Sequence, residues 1–314
     1  MSVQPPPPGY VAVDPSRDQL SARREIRAAL RHPLEIFCLV MAILVSLLIL
    51  GSAIADVVGA IRERRAPGTY SLLFVLAPLV LWFMRGQLMA RLRVNSVKVT
   101  PTQYPEAYTM VAEAAAHFGL KRVPDAYVVL GNGMINAAAS GHGFRRFIFI
   151  YSDLFEVGGR LRNPDALRFI VAHEVGHIAA GHTSYWRWLS IFASNWVPLI
   201  GPVLSRSQEY TADNFGYAHC PQGSATAMAT LAAGKYLNSS VDINAVADRA
   251  EQEKGFFVWT VNAAASHPVL AWRAHALRDR SAPGRLLWRP REPKALALPP
   301  SAPQLPQPGP RPGA

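Results

Sequence analysis

Residues 163–181 read NPDALRFIVAHEVGHIAAG. Asn163 is a favourable helix N-cap, Pro164 suits the first helical position, and Gly181 is a natural helix stop. Between them the sequence has no further proline and is apolar on nearly every side, which is typical of a buried helix. The stretch therefore predicts a buried helix that ends close to residue 180.

Two histidines four residues apart, His173 and His177, form an HExxH pattern inside this helix. Side chains at i and i+4 project from one face, so both imidazoles can bind one metal ion while Glu174 reaches a metal-bound water. Buried imidazole and carboxylate groups are costly unless a partner satisfies them, and a metal ion does so. The pattern predicts zinc-assisted peptide hydrolysis, with a chance occurrence of the five residues as the alternative.

A third ligand is expected downstream, where residues 207–213 read SQEYTAD. Glu209 and Asp213 are four residues apart, so one helical face would carry both carboxylates. Catalytic zinc usually takes three protein ligands, and we expect Glu209 to be the third. Asp213 can then accept the second ring N–H of a ligand histidine. The alternative is a solvated acidic helix face. His182 is expected at the surface or behind a ligand.

Three motifs follow one another along the chain in an order that is typical of one family. They are HEVGHIAAGHT at 173–183, RSQEYTAD at 206–213 and SHP at 266–268. Together they resemble the M48 family of membrane-linked zinc metallopeptidases, which includes HtpX-like bacterial proteases. The resemblance spans residues 100–280. It implies one zinc ion per chain, bound by His173, His177 and Glu209.

The resemblance also implies roles for four other residues. Glu174 would be the general base, His267 would stabilise the oxyanion near the scissile carbonyl, and Arg273 would pair with the glutamate ligand. Asn136 would belong to an NA motif beside the edge strand that holds the substrate backbone. Without the resemblance, His267 has a simpler interpretation as a helix-entry residue, Arg273 as a surface arginine and Asn136 as a turn residue.

Residues 126–130 and 147–151 read as two short strands around a glycine-rich stretch at 131–143. A strand beside the metal-binding helix can hold an extended substrate by main-chain hydrogen bonds. We therefore expect an α+β, zincin-like metalloprotease domain over residues 95–280 that is mainly helical with a small β-sheet.

Two uncharged apolar segments, residues 36–55 and 66–84, precede this domain. Each has about twenty residues, enough to cross a hydrocarbon core of about 30 Å. A pair of buried core helices is the alternative, but both segments are apolar all round and flanked by arginines. We expect a two-helix transmembrane hairpin over residues 33–94.

Basic residues around the hairpin predict its orientation. Nine lysines and arginines lie in the two outer flanks and three in the connection, which predicts that both termini and the protease domain are cytoplasmic. These arginines attract anionic lipid and account for part of the net charge of +11. The chain has no recognisable nucleic-acid module. Its two cysteines offer no disulfide framework and fit a reducing compartment.

A third apolar segment, residues 188–205, lies between the two halves of the predicted metal site. A single crossing would separate Glu209 from the histidines, and two crossings need about forty residues. The segment is therefore expected to pack over the domain or dip into the near leaflet. HtpX-like relatives have two further spans in this interval.

The sequence thus predicts a membrane-anchored zinc endopeptidase of the cell membrane that cleaves membrane or misfolded polypeptides in quality control or regulated proteolysis. One alternative is a non-proteolytic scaffold that retains the metal fold. The other is a CAAX-type prenyl-protein protease, although two spans cannot enclose the chamber of such enzymes. Residues 1–32 are expected to be a disordered, proline-containing and basic N-terminal arm, and residues 281–314 a disordered proline-rich tail.

Overall fold

The computed structural model describes residues 24–142, 144–155 and 163–290 of the chain. It contains a mainly helical domain with one four-stranded sheet, preceded by two long apolar helices. The predicted fold class is thereby confirmed. Residues 1–23 of the expected disordered arm and residues 291–314 of the expected tail lie outside the described residues. Residues 24–32 of the arm differ from that expectation: residues 24–29 are helical, and Arg27 Nε donates to the carbonyl oxygen of Phe118 at 2.8 Å.

The two apolar helices are α1 (Glu35–Glu63) and α2 (Thr69–Val94), and they pack along each other. By length and composition both could cross a membrane. Asp56 closes their connection, because its carboxylate accepts hydrogen bonds from Arg65 Nη2 at 2.8 Å and from the backbone N–H of Gly68 at 2.8 Å. The two helices therefore form a hairpin.

A small sheet has the strand order β1-β2-β4-β3. Its strands are β1 (Val97–Lys98), β2 (Asp125–Val129), β3 (Ala137–His142) and β4 (Arg145–Tyr151). Strands β2 and β4 pair in parallel, whereas β3 pairs antiparallel with β4 at the edge. The sequence predicts β2 and β4, but it predicts a connection where β3 lies. Alanine, serine and glycine have little strand propensity, so β3 depends on its pairing with the apolar β4.

Helix α4, which carries the HExxH pattern, lies at the centre of the domain. The α-helices that follow α2 are α3 (Pro105–His117), α4 (Pro164–Ala179), α5 (Tyr185–Ile191), α6 (Ile200–His219), α7 (Gly223–Leu237), α8 (Ile243–Gln252), α9 (Phe256–Ala264) and α10 (Leu270–Arg278). Asn163 Oδ1 caps α4 by accepting the Ala166 N–H at 3.0 Å. Gly176 lets α4 approach α6, because a Cβ there would lie 2.5 Å from the Cβ of Phe215.

The third apolar segment, residues 188–205, does not form a spanning helix. It comprises the end of α5, a 3₁₀ turn (Ala193–Trp196) and the first turns of α6. This segment packs along α1, where the buried N–H of Ser194 donates to Ser46 Oγ at 2.9 Å. Within the described ranges, only α1 and α2 have the length and composition of a membrane span. Helices α4 and α6 therefore stay in one domain, as a shared metal site requires.

Residues 281–290 differ from the expected disordered tail, because they pack on the domain. Leu286 is buried, and its carbonyl oxygen accepts hydrogen bonds from Arg206 Nε at 2.8 Å and from Asn262 Nδ2 at 3.2 Å. Arg206 is itself fully buried and also donates to the carbonyl oxygens of Asn262 and Ala263 in α9. A buried guanidinium needs several acceptors, and the first part of the tail supplies one.

Candidate active site

Helices α4 and α6 direct three ligand-type side chains at one point. His173 and His177 project from α4, and Glu209 projects from α6. The distance from His173 Nε2 is 3.2 Å to His177 Nε2 and 3.5 Å to Glu209 Oε2, and His177 Nε2 lies 3.4 Å from Glu209 Oε1. Ligand atoms at about 2.0–2.2 Å from a tetrahedral ion are about 3.3–3.6 Å apart. The triangle therefore has the dimensions of a metal site.

The chemistry of the three side chains also fits a metal ion. Glu209 Oε2 is buried and has no hydrogen-bond partner among the described residues. Burial alone raises the pKa of Glu209, but the imidazoles of His177 and His173 outweigh it and hold the pKa well below its usual range. Two imidazoles and one carboxylate leave an open fourth position on zinc, which is typical of catalytic rather than structural sites.

A carboxylate supports His173 from behind. The ring N–H at Nδ1 donates to Asp213 Oδ1 at 2.9 Å, so that Nε2 faces the metal position. Burial lowers the pKa of His173, but the carboxylates of Asp213 and Glu209 raise it, with a net value of about 10. Since these carboxylates favour positive charge at the ring, they also favour a cation beside it.

Arg273 pairs with Asp213 rather than with Glu209, the expected metal ligand. Its Nε donates to Asp213 Oδ2 at 2.9 Å and its Nη2 donates to Asp213 Oδ1 at 2.6 Å, a bidentate pair in a buried environment. Burial raises the pKa of Asp213, but Arg273 and His173 outweigh it and lower the pKa to about 2. The resemblance implies a contact of Arg273 with Glu209. Asp213 lies one turn further along α6 and receives the guanidinium instead.

A second histidine supports His177. His177 Nδ1 lies 2.8 Å from His182 Nδ1, and His182 Nε2 lies 3.2 Å from Glu35 Oε1 at the start of α1. Burial, the largest effect, lowers the pKa of His182 to about 3, which leaves its ring neutral. The sequence predicts His182 at the surface or behind a ligand, and the structure places it behind His177. The sequence does not identify Glu35. The signal in the sequence that could have identified Glu35 is its position as a single acidic residue directly before the apolar segment 36–55.

Two further predicted residues lie beside the ligands. Glu174 is buried on α4 directly after His173. His267 is largely exposed, its Nε2 lies 3.3 Å from Glu209 Oε1, and its Nδ1 lies 3.0 Å from Ser266 Oγ. The structure thus brings His267 to the solvent side of the ligand triangle.

Asn136 lies at the start of edge strand β3. Its side chain is exposed, its Oδ1 accepts the N–H of Ala137 at 2.9 Å, and its carbonyl oxygen accepts the N–H of Tyr151 at 3.0 Å. Strand β3 packs against α4, and its far end is held by α2, because Arg85 Nε donates to the carbonyl oxygen of Gly141 at 2.8 Å. The sheet therefore presents one strand edge beside the HExxH helix.

An HExxH helix, a glutamate that converges on it from a second helix and a strand edge beside the first helix are together the arrangement of a metallopeptidase.

The family model of Peptidase family M48 matches residues 101–193 and 188–281, which together make up more than half of the chain. The chain therefore belongs to peptidase family M48, as the order of its motifs predicts. No curated protein and no solved structure gives a significant match to the chain.

Proposed function

We propose that this chain is a membrane-anchored zinc endopeptidase that cleaves membrane or misfolded polypeptides at the cytoplasmic surface of the cell membrane, in quality control or regulated proteolysis. The triangle of His173, His177 and Glu209, with Glu174 beside it on α4, carries the proposal. Family membership supports metallopeptidase chemistry.

Two observations support the membrane anchor and its orientation. Helices α1 and α2 expose large apolar side chains that a bilayer would cover, among them Leu47, Leu48, Leu79 and Phe83. The outer flanks of the hairpin carry nine basic residues against three in its connection, which favours a cytoplasmic catalytic domain.

The side chains around the ligands support a hydrolytic mechanism. Bound zinc would polarise the scissile carbonyl and lower the pKa of a water molecule. Glu174 accepts a proton from that water and returns it to the leaving amine. His267, at the solvent side of the triangle, donates a hydrogen bond to the developing oxyanion.

The edge of β3 supports a polypeptide as the substrate. An extended chain can pair with the free main-chain groups of an edge strand, and β3 packs directly against α4. Asn136 is the proposed substrate contact at the exposed start of this strand. Main-chain pairing depends little on side chains, so it suits an enzyme that accepts unfolded segments of varied sequence.

Neither alternative has an observation in its favour. A scaffold without activity has no use for an intact Glu174 beside three converging ligand groups. A CAAX-type protease needs a membrane chamber, and only two helices of the described chain could span a membrane.

The experiment compares Glu174→Gln and Glu209→Ala in full-length protein reconstituted into vesicles. A fluorescent unfolded polypeptide and a single-span membrane protein serve as substrates. We expect Glu174→Gln to retain zinc and to cleave about 10²–10⁴-fold more slowly, because the general base is lost. Glu209→Ala should lose both zinc and activity. Glu106→Gln, an exposed carboxylate on α3, is the control. A fully active Glu174→Gln protein would contradict the proposal.

A further inference from the structure

The first residue of α1 is a fully buried carboxylate, although it opens an apolar helix. Oε1 of Glu35 accepts hydrogen bonds from Arg31 Nη1 at 2.5 Å, Arg187 Nη2 at 2.9 Å and His182 Nε2 at 3.2 Å. Its Oε2 accepts one from Thr211 Oγ1 at 2.5 Å. A buried carboxylate is tolerated when it is paired this completely, and the same pairing fixes its position.

The ring of His182 lies between this carboxylate and a metal-ligand histidine. The ring is almost fully buried, with Nε2 toward Glu35 and Nδ1 2.8 Å from His177 Nδ1. An ionised carboxylate can only accept a hydrogen bond, so the proton of His182 lies on Nε2. Nδ1 of His182 is then an acceptor, and it receives the N–H of His177 Nδ1.

This arrangement determines which nitrogen of His177 faces the other ligands. Because Nδ1 of His177 carries the proton, its Nε2 presents a lone pair toward Glu209 and His173. Orientation of a ligand ring through its second nitrogen is the general way in which proteins fix metal-binding histidines. Glu35 orients His177 indirectly, because the ring of His182 lies between the two residues.

The chain just before α1 is attached to both ligand helices. Arg31 Nη2 donates at 2.6 Å to the carbonyl oxygen of Ala180 at the end of α4. The backbone N–H of His32 donates at 2.9 Å to Thr211 Oγ1 on α6. The residues at the start of α1 therefore contact both helices that carry the proposed metal ligands, in addition to connecting the hairpin to the domain.

We propose that Glu35 is a positioning residue of the metal site, which orients His177 through His182 and makes full zinc affinity depend on the docking of α1 against the catalytic domain. The inference rests on the proposed zinc site. It adds that the membrane anchor completes this site.

The test measures zinc affinity by chelator competition in full-length protein reconstituted into vesicles. His182→Leu removes both hydrogen bonds, whereas His182→Gln retains one acceptor and one donor that can bridge His177 and Glu35. We expect His182→Leu to weaken zinc binding about 10–100-fold and His182→Gln to recover most of this loss. With zinc saturating, kcat should fall in His182→Leu while KM for the unfolded polypeptide stays unchanged, because β3 is not altered.

Glu35→Gln is the second arm, and it decides the outcome if His182→Leu does not fold. It should weaken zinc binding about 10-fold. Unchanged zinc affinity in folded His182→Leu or in Glu35→Gln overturns the proposal. Equal losses in His182→Leu and His182→Gln also overturn it, because the hydrogen bonds would then not matter. If the unmodified protein binds no zinc, the proposed function itself fails, and this result is distinguishable from the others.

Discussion

The two histidines of α4 that we propose as metal ligands, His173 and His177, are supported by different parts of the chain. Behind His173, the carboxylate of Asp213 on α6 accepts the ring N–H directly at 2.9 Å. Behind His177, the carboxylate is Glu35 on α1, and the ring of His182 lies between the two. The support of His173 thus lies within the catalytic domain, whereas the support of His177 comes from the apolar hairpin. The difference implies unequal effects when either support is removed.

The largest effect is expected from Asp213→Asn, on the His173 side. The substitution leaves the buried guanidinium of Arg273 without its carboxylate, which costs about 3–5 kcal/mol of unfolding free energy. The amide also fixes the ring of His173 less firmly, so zinc affinity should fall about 10–100-fold. Thermal unfolding and chelator competition measure the two effects separately.

A double variant separates charge burial from ring orientation. In Asp213→Asn with Arg273→Met, no unpaired charge remains, so stability should recover while zinc affinity stays low. If the double variant recovered zinc affinity as well, the carboxylate would not be what orients His173, and the comparison between the two histidines would lose its basis.

The second prediction concerns removal of zinc. A ligand present at 100 times its Kd stabilises the folded state by about 2.7 kcal/mol, so a chelator should lower the unfolding temperature by a corresponding amount. At the same free zinc concentration, a variant with 10-fold weaker binding should lose about 1.4 kcal/mol of this stabilisation. His182→Leu should therefore respond less to the chelator than the unmodified protein. An equal response would place His182 outside the site.

The third prediction uses Gly176→Ala to disturb the support of His173 by Asp213 more than the support of His177 by His182. The added methyl group meets Phe215 and pushes α4 away from α6, at a cost of about 1–3 kcal/mol. The hydrogen bond between His173 and Asp213 joins α4 to α6, so it depends on the distance between the two helices. His177 and His182 are only five residues apart in the sequence, so their contact depends less on that distance. Zinc binding should weaken because His173 moves away from Glu209 and Asp213. A further His182→Leu substitution should add a loss of its own, which chelator competition on the double variant measures.

The parts of the site that follow from local spacing could be predicted from sequence. Asn163 marks the start of α4 as its N-cap. The spacing of four residues between His173 and His177, and between Glu209 and Asp213, places each pair on one helix face without any tertiary information. The match of the family model to residues 101–281 confirms the family that these motifs predict.

Features that depend on contacts distant in sequence could not be predicted. Strand β3 has a composition that resembles a loop, and it forms because β4 offers a partner. Glu35 lies 147 residues before His182, and no local pattern connects them. The resemblance implied a contact of Arg273 with Glu209, yet Asp213 one turn further along α6 is the carboxylate that α10 reaches.

The smallest expected effect tests whether the His177 side responds to the position of α1. Ser46→Ala removes the acceptor of the buried Ser194 N–H and should cost about 1 kcal/mol. Ser52→Ala is the matched control, because Ser52 lies on the exposed face of the same helix and its Oγ donates to the carbonyl oxygen of Leu48 within that helix at 2.8 Å.

If α1 completes the metal site, Ser46→Ala should weaken zinc binding slightly, and Ser52→Ala should not. In a His182→Leu background the same Ser46→Ala substitution should have no further effect on zinc affinity, since the connection from α1 to His177 is already broken. An equal loss in both backgrounds would mean that α1 stabilises the domain as a whole and does not act through His177.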